Sequence, residues 1–417
     1  MLLYIAASII MIYLILRAFI KIKFHFWSTQ PVFHIYDLQH WLRPNRVIEQ
    51  DLPKINKYVN LINIRTESIL DMSEDDVSRV ASFIRKNYLR NKESEYIPEE
   101  KHIIQYMKGS NHPSYISIYR RPNLLVGGNG DSAIDTTKIE NEGEKMEKSG
   151  SNPERNDTNL DILSVITARI LHITLKSVGS FPLYYIDNLC VNPAMRKKGV
   201  APKAIQTLYY HLRRRDEDVK TFLFKREGEM TAIVPLTTFT TRGYDVSSIR
   251  RMELPHASMT VLEVTPKCLG LFVDFMQRQR DSYDCVVVPD VSNISNMLSA
   301  GIISIRGIME GGALIAVYVF RDSATIYDGE RAVELVSSMS ACHFDEIYYA
   351  GFTIGLASCC QEWKATRVVI DGVGGNDIIT KCMGNRGCKP FLESPSAFFL
   401  YNYVSYAFPA NKCFLFC

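Results

Sequence analysis

The sequence lacks a Cys-x-x-Cys pair and any His cluster that would partner one. Its 10 cysteines are scattered, and neither Cys359-Cys360 nor Cys382 with Cys388 has a second ligand pair at zinc spacing. They read as reduced thiols, and no metal is expected. A strong charge of one sign is also missing. The formal net charge is +3 over 417 residues, with no zinc finger and no basic stripe interleaved with aromatics. That excludes a dedicated nucleic-acid binder. Low-complexity sequence is confined to residues 127–159, which carry Gly, Ser, Asn, Lys and Glu with almost no apolar side chain. This stretch reads as a disordered surface insertion rather than a domain.

What is present is a globular composition, 47% apolar, in a chain too long for one ordinary core, so two domains are expected. The N-terminus stands apart. Residues 2–20 are apolar except for Arg17, just long enough to cross a bilayer. A cleaved signal peptide would need a basic segment before the run and a small-residue cleavage site after it, and neither is there. Residues 1–21 are therefore expected to form a transmembrane anchor rather than a signal or a buried core helix. Arg17, Lys21 and Lys23 lie on its C-terminal side. By the positive-inside rule the expectation is a single-pass membrane protein whose body faces the cytosol.

Beyond residue 24 the apolar spacing alternates between the helical and strand periods. A helix is expected from a Ser73 cap to about 91, with Val77, Val80, Phe83 and Ile84 on its apolar face. Residues 115–119 and 162–169 read as strands, the second pairing as a hairpin with 183–191. The most telling stretch follows: Arg196-Lys197-Lys198-Gly199-Val200-Ala201-Pro202, leading into a helix from 203 to about 215 with Ile205, Leu208, Tyr209 and Leu212 on one face. A helix start carries partial positive charge, so cations gather there favourably only when an anion joins them. A strand at 221–224 follows in this first half, 24–245. The second half, 246–417, repeats the order in outline, with helices at 269–280 and 344–363 and strands at 302–306, 313–320 and 368–370. A last strand pair is expected near 398–403 and 412–417, and no basic Gly turn recurs. The expected fold class is α/β, two tandem mixed sheets with flanking helices.

Three segments carry a likeness. Phe26-Trp27-Ser28-Thr29-Gln30-Pro31-Val32 follows the apolar run. Ile186-Asp187-Asn188-Leu189-Cys190-Val191-Asn192 runs into the basic turn. Phe391-Leu392-Glu393 and Leu400-Tyr401-Asn402-Tyr403 stand near the end. Together they resemble the F-W-x-T-Q-P-V, the I-N-F-L-C-V-H with R-S-K-R-x-A-P, and the F-L-E with L-Y-N-W segments of the eukaryotic-type glycylpeptide N-myristoyltransferases. Tyr96-Ile97-Pro98-Glu99 is similar to their Y-S-P-E. The resemblance runs thinly from Phe24 to Cys417 and implies two acetyltransferase-like (GNAT-type) halves, the first holding acyl-CoA and the second forming the acceptor side.

It further implies transfer of a long-chain acyl group, myristoyl in the family, from coenzyme A to an N-terminal glycine amine, by direct attack in a ternary complex. The backbone N–H groups of Asn188 and Leu189 would be the oxyanion donors. Phe26, Trp27, Leu189, Cys190 and Val191 would contact the acyl-CoA. Arg196, Lys197 and Lys198, with the amides of Gly199, Val200 and Ala201, would hold its phosphates. The base would be the α-carboxylate of Cys417, although the apolar Phe414-Leu415-Phe416 tail reads equally well as an edge strand. Cys190, within a strand, is not expected to act as a nucleophile. The implied partners are myristoyl-CoA, a Gly-initiated protein or peptide, and the membrane through the N-terminal helix. The acceptor side departs from the pattern: Lys225 stands where the family has the Thr of Y-T-A-G, and Thr238-Phe239-Thr240-Thr241 replaces R-Y-W-H. A catalytically silent acyl-CoA-binding or structural membrane protein of this fold, and an acetyltransferase acting on another amine, stay open as alternatives.

Overall fold

The computed structural model describes residues 1–88, 94–121, 162–228 and 232–417. The insertion expected over 127–159 lies outside them. In chain order the first elements are α1 (Leu2–Lys23), α2 (Leu38–Leu42), β1 (Arg46–Val47), β2 (Ile64–Ser68), α3 (Glu74–Asn87), β3 (Ser94–Tyr96), α4 (Glu100–Met107), β4 (Tyr115–Arg120), β5 (Ile162–Leu175), β6 (Gly179–Val191), α5 (Val200–Arg215), β7 (Thr221–Glu227) and β8 (Thr237–Asp245). The rest are β9 (Thr260–Val264), α6 (Leu269–Gln279), β10 (Cys285–Val288), α7 (Val291–Ser299), β11 (Ile303–Glu310), β12 (Ala313–Tyr327), β13 (Glu330–Ser340), α8 (Asp345–Trp363), β14 (Arg367–Asp371), α9 (Asn376–Asn385), β15 (Leu392–Tyr401), β16 (Tyr403–Val404) and β17 (Cys413–Leu415).

The class is mixed α/β, but all the described strands except the separate β1–β16 pair join one continuous sheet of 15 rather than two tandem sheets. Its main path runs β17-β10-β5-β6-β7-β15-β8-β14-β13-β12-β11-β9. The expected pairing of the last two strands is also corrected: β15 pairs β7 and β8, while β17 runs parallel to β10. Such long-range pairings leave no periodicity in the sequence. The 162–169 and 183–191 segments do form a hairpin, as β5 and β6. Ser73 caps α3, its hydroxyl accepting the Asp76 N–H at 3.2 Å.

One unit occurs twice. The β5–β6 hairpin is followed by crossover helix α5 and then β7, parallel to β6. The β12–β13 hairpin is followed by α8 and then β14, parallel to β13. In the first unit the parallel ladder stops at Ile186 opposite Phe224; in the second it stops at Leu335 opposite Ile370. These stops fix an equivalence: Lys225 corresponds to Asp371. Likewise Arg169, opposite Tyr185, corresponds to Arg321, opposite Glu334.

The expected transmembrane anchor over 1–21, and the single-pass, cytosol-facing placement that followed from it, are corrected. Among the described residues no helix is long and apolar enough to cross a membrane. In α1 the uncharged part ends at Leu16, because Arg17, Lys21 and Lys23 charge its last turns, whereas a span needs about 20 apolar residues. Those last turns dock on the body instead. Ile20 is buried, the Tyr13 hydroxyl donates to the Tyr36 carbonyl at 3.0 Å, and the Arg17 guanidinium lies 5.7 Å from the Tyr36 ring centre.

Candidate active site

The site forms where two parallel strands part. β6 and β7 stay paired through Ile186 and Phe224 and then diverge. Just there β6 bulges: Asn188 and Leu189 together face one residue of β5, Ile166, between the pairs Val165–Cys190 and Thr167–Asp187. Asn188 sits at φ 50°, a left-handed backbone that asparagine tolerates better than most side chains. Its side-chain amide donates to Thr167 Oγ1 at 3.2 Å, and its backbone N–H donates to Asp187 Oδ1 at 2.7 Å.

The gap opens into a cavity of about 170 Å³ lined mostly by Trp27, Ile186, Ile205, Leu208, Phe222, Phe224 and Tyr401, with Asp187, Asn188, Leu189 and Lys225 at its polar end. Strand alternation sorts the two faces of the sheet. Ile186, Phe222 and Phe224 face α5, whereas Tyr185, Leu223 and Cys417 belong to a cluster on the opposite face. Both faces are apolar beyond the gap, and Asp187 and Lys225 bring charge to it from the side away from α5. Parts of all three segments that carry the sequence likeness meet here, while Phe391 packs away from the cavity, on Tyr327 at 5.6 Å. Trp27 stacks on Phe224 at 5.5 Å and 15°. Gln30 Oε1 accepts from the Tyr401 hydroxyl at 2.7 Å, and the Asn402 N–H donates to the Pro31 carbonyl at 2.6 Å.

At the mouth, α5 begins at Val200, three residues before the expected Lys203, because Pro202 lacks only an N–H that the first turn leaves unused. Lys197 at φ 64° and Gly199 at φ 75° turn the backbone left-handed just before the helix, which gathers amides into a concavity of the kind that takes anions. Lys197 and Lys198 are exposed. Arg196 is partly committed, donating to the Asn87 carbonyl at 2.9 Å and the Val191 carbonyl at 3.4 Å. Val200 is buried, so only its backbone is available to a ligand. Ile205, one and a half turns on, is already in the cavity wall.

The opposite face carries charge. Lys225 Nζ donates to Asp371 at 2.8 and 3.0 Å and lies 3.3 Å from Glu227. Thr241 Oγ1 lies 2.6 Å from Asp371 Oδ1 and 2.8 Å from Ser396 Oγ. Burial pulls the Lys225 ammonium down, but Asp371 and Glu227 outweigh it and hold the group above its ordinary value. Burial raises and Arg321 lowers the Glu334 carboxyl, with the cation prevailing. Arg321 pairs with Glu334 at 2.6 Å and donates to Tyr106 Oη at 2.7 Å, and Arg169 donates to the same oxygen at 3.0 Å.

Several expected residues lie apart from the cavity. Phe26 packs edge-on against Trp27 and Tyr58, each at 5.2 Å, one layer behind the lining. Val191 packs beside Val200, under the turn. Cys190 is buried in a neighbouring core, and burial pushes its thiol up to about 12, which suits a strand residue and not a nucleophile. Cys417 is buried outside the lining, its backbone oxygen accepting from Arg321 at 3.2 Å. Residues that sequence reasoning passed over include Asp187, Tyr88 and the Arg321–Glu334 and Lys225–Asp371 pairs. Of these only Asp187 carried a local signal, as the one charge in an otherwise uncharged strand.

No protein-family profile matches the chain, and no curated protein sequence matches it. Solved structures do. A Saccharomyces cerevisiae N-myristoyltransferase with bound myristoyl-CoA matches with a TM-score of 0.63 at 12% identity, over 93% of this chain and 94% of that one. A second structure of that enzyme with bound myristoyl-CoA reaches 0.65 at 11% identity, over 93% and 90%. A third, with myristoyl-CoA and inhibitors, reaches 0.64 at 12% identity, over 95% of both. The chain has the N-myristoyltransferase fold.

Proposed function

We propose that this chain is an N-acyltransferase that moves a long-chain acyl group, myristoyl, from coenzyme A to the N-terminal glycine amine of a protein or peptide. The observation that carries the reading is the through-sheet gap at the β6 bulge, apolar towards α5, charged on the other face, and fronted by the basic turn. In this reading residues 24–245 hold the acyl-CoA and 246–417 build most of the acceptor side. Lys197, Lys198 and the amides of Gly199 to Ala201 bind the phosphates, helped by the helix start. Trp27, Ile205, Leu208 and Phe224 wall the acyl chain and keep water from the thioester. The bulged backbone at Asn188 and Leu189 would supply N–H groups to the carbonyl oxygen as it becomes an oxyanion, the Asn188 N–H leaving Asp187 Oδ1 to do so, in a dry site where such donors count most. No acyl-enzyme is needed, in keeping with the inert Cys190.

Incubating the purified chain with myristoyl-CoA and a Gly-initiated peptide tests this by mass spectrometry, with an acylated peptide as the expected product. Tight acyl-CoA binding with no acylated peptide would reduce the protein to a binding module. Acetyl transfer without myristoyl transfer would make it an acetyltransferase.

A further inference from the structure

We infer that the Asp187 carboxylate is the general base that takes the proton from the acceptor's ammonium in the gap between β6 and β7; this rests on the acyltransferase reading above.

Asp187 is the first residue of β6 past the last β6–β7 pair, and of the described residues lining the cavity it is the one carboxylate. It shares that lining with Asn188 and Leu189, the expected oxyanion donors, and with Lys225 across the gap. An amine placed to attack a carbonyl held by those amides is within reach of this side chain. The carboxylate is also fixed in place, because Oδ1 accepts the Asn188 N–H at 2.7 Å. Among the described residues no ion pair and no further hydrogen bond engages it, which leaves Oδ2 available for a proton. The titratable groups facing it are the phenols of Tyr185 on β6, Tyr88 after α3, Tyr96 on β3 and Tyr106 on α4, each held above its ordinary value by burial and in part by the Asp187 charge. They stay neutral at working pH and do not compete for the proton. Cys417 differs in position: it lies outside the cavity lining, with one oxygen of its α-carboxylate accepting from Arg321 at 3.2 Å.

The step balances as follows. One ammonium proton passes to Asp187 Oδ2, and the freed nitrogen lone pair attacks the thioester carbonyl carbon, forming the C–N bond while the carbonyl electrons move onto oxygen. Protonating Asp187 weakens its hold on the Asn188 N–H, which is then free to meet that oxyanion. Collapse re-forms C=O and breaks C–S. The departing thiolate takes the second proton from nitrogen, leaving an amide and free coenzyme A thiol, and Asp187 passes its proton to water.

Asp187→Asn keeps the size and the acceptor for Asn188 and removes the base. It is expected to lower kcat for myristoyl transfer to a Gly-initiated peptide by about 100-fold or more, with myristoyl-CoA affinity within about threefold of wild type, and formate is expected to restore transfer to Asp187→Ala but not to speed the wild type. Transfer by Asp187→Asn within threefold of wild type would overturn the assignment. So would an Asp187→Ala that binds myristoyl-CoA yet ignores formate. A wild-type chain that binds myristoyl-CoA and never transfers would overturn the acyltransferase reading itself, and the base with it.

Discussion

The β6–α5–β7 and β13–α8–β14 units share one construction and diverge at the point where their parallel strands part. In the first, the gap past Ile186 and Phe224 is open and lined by Asp187, Asn188, Leu189 and Lys225. In the second, Asn376 stitches it shut: its side-chain amide donates to the Leu335 carbonyl at 3.2 Å and the Asp371 carbonyl at 2.8 Å, its carbonyl accepts from Ser338, and the Gly375 N–H donates to the Ser338 carbonyl at 3.0 Å. The helix starts differ as well. Three basic residues precede α5, whereas Asp345 and Glu346 stand in the first turn of α8 and satisfy the helix dipole without a ligand. A parallel-strand fork thus becomes a site only when its backbone groups are left unstitched and its helix start is left short of negative charge. One acyl-CoA per chain is the expectation.

The largest effect should come from the equivalent positions that meet. Lys225→Met or Asp371→Asn leaves one charge of a buried pair alone and should cost about 3–5 kcal/mol in guanidinium unfolding. Exchanging the two, Lys225→Asp with Asp371→Lys, should recover most of that; no recovery would mean that the equivalence is geometric only. Next, Asn376→Ala should cost about 3 kcal/mol by orphaning buried carbonyls, yet leave calorimetric stoichiometry at one acyl-CoA. A second bound acyl-CoA would show that stitching alone separates the units. Replacing Lys197 and Lys198 by Ala should weaken acyl-CoA binding about tenfold, near 1.4 kcal/mol, and more at low salt. Replacing Asp345 and Glu346 should leave binding unchanged.

The smallest effect is set by pH. Asp322 on β12 stands where the first unit has Ile170 on β5. Burial alone would raise its carboxyl, but hydrogen bonds from His102 and Arg331 hold it at about 2. A folded-state value below the unfolded one, near 4, gives a stabilising contribution that is complete above that range and lost as pH falls through 2. Hydrogen exchange should therefore show β12 losing protection on acidification before β5 does, and simultaneous loss would remove this difference between the units.

Much of this was legible in the sequence. The alternating 162–169 and 183–191 segments, the capped α3 and the basic turn before α5 all announce themselves through local spacing. Trp27, Asn188 and Leu189 are brought to one cavity. What local spacing could not carry is contact between distant segments. The docking of Tyr13, Arg17 and Ile20 on Tyr36 turns an apparent membrane run into a helix partly bound to the body. β15 slips between β7 and β8, and Cys417 comes to rest on Arg321 outside the cavity. The charged face was hidden for the same reason, since Lys225 and Asp371 lie 146 residues apart and are partners only in the folded sheet.

Tyr106 belongs to neither repeated unit, yet Arg169 and Arg321, from equivalent positions, both donate to its hydroxyl oxygen. That oxygen has two lone pairs, one for each guanidinium. It lies between the two units, met by one arginine from each. The rest of each unit can drift independently, as the open and stitched forks have done, but a residue outside both units has no twin to diverge from. Any shift of that phenol is felt by both units at once, so this single hydroxyl keeps the two copies in register.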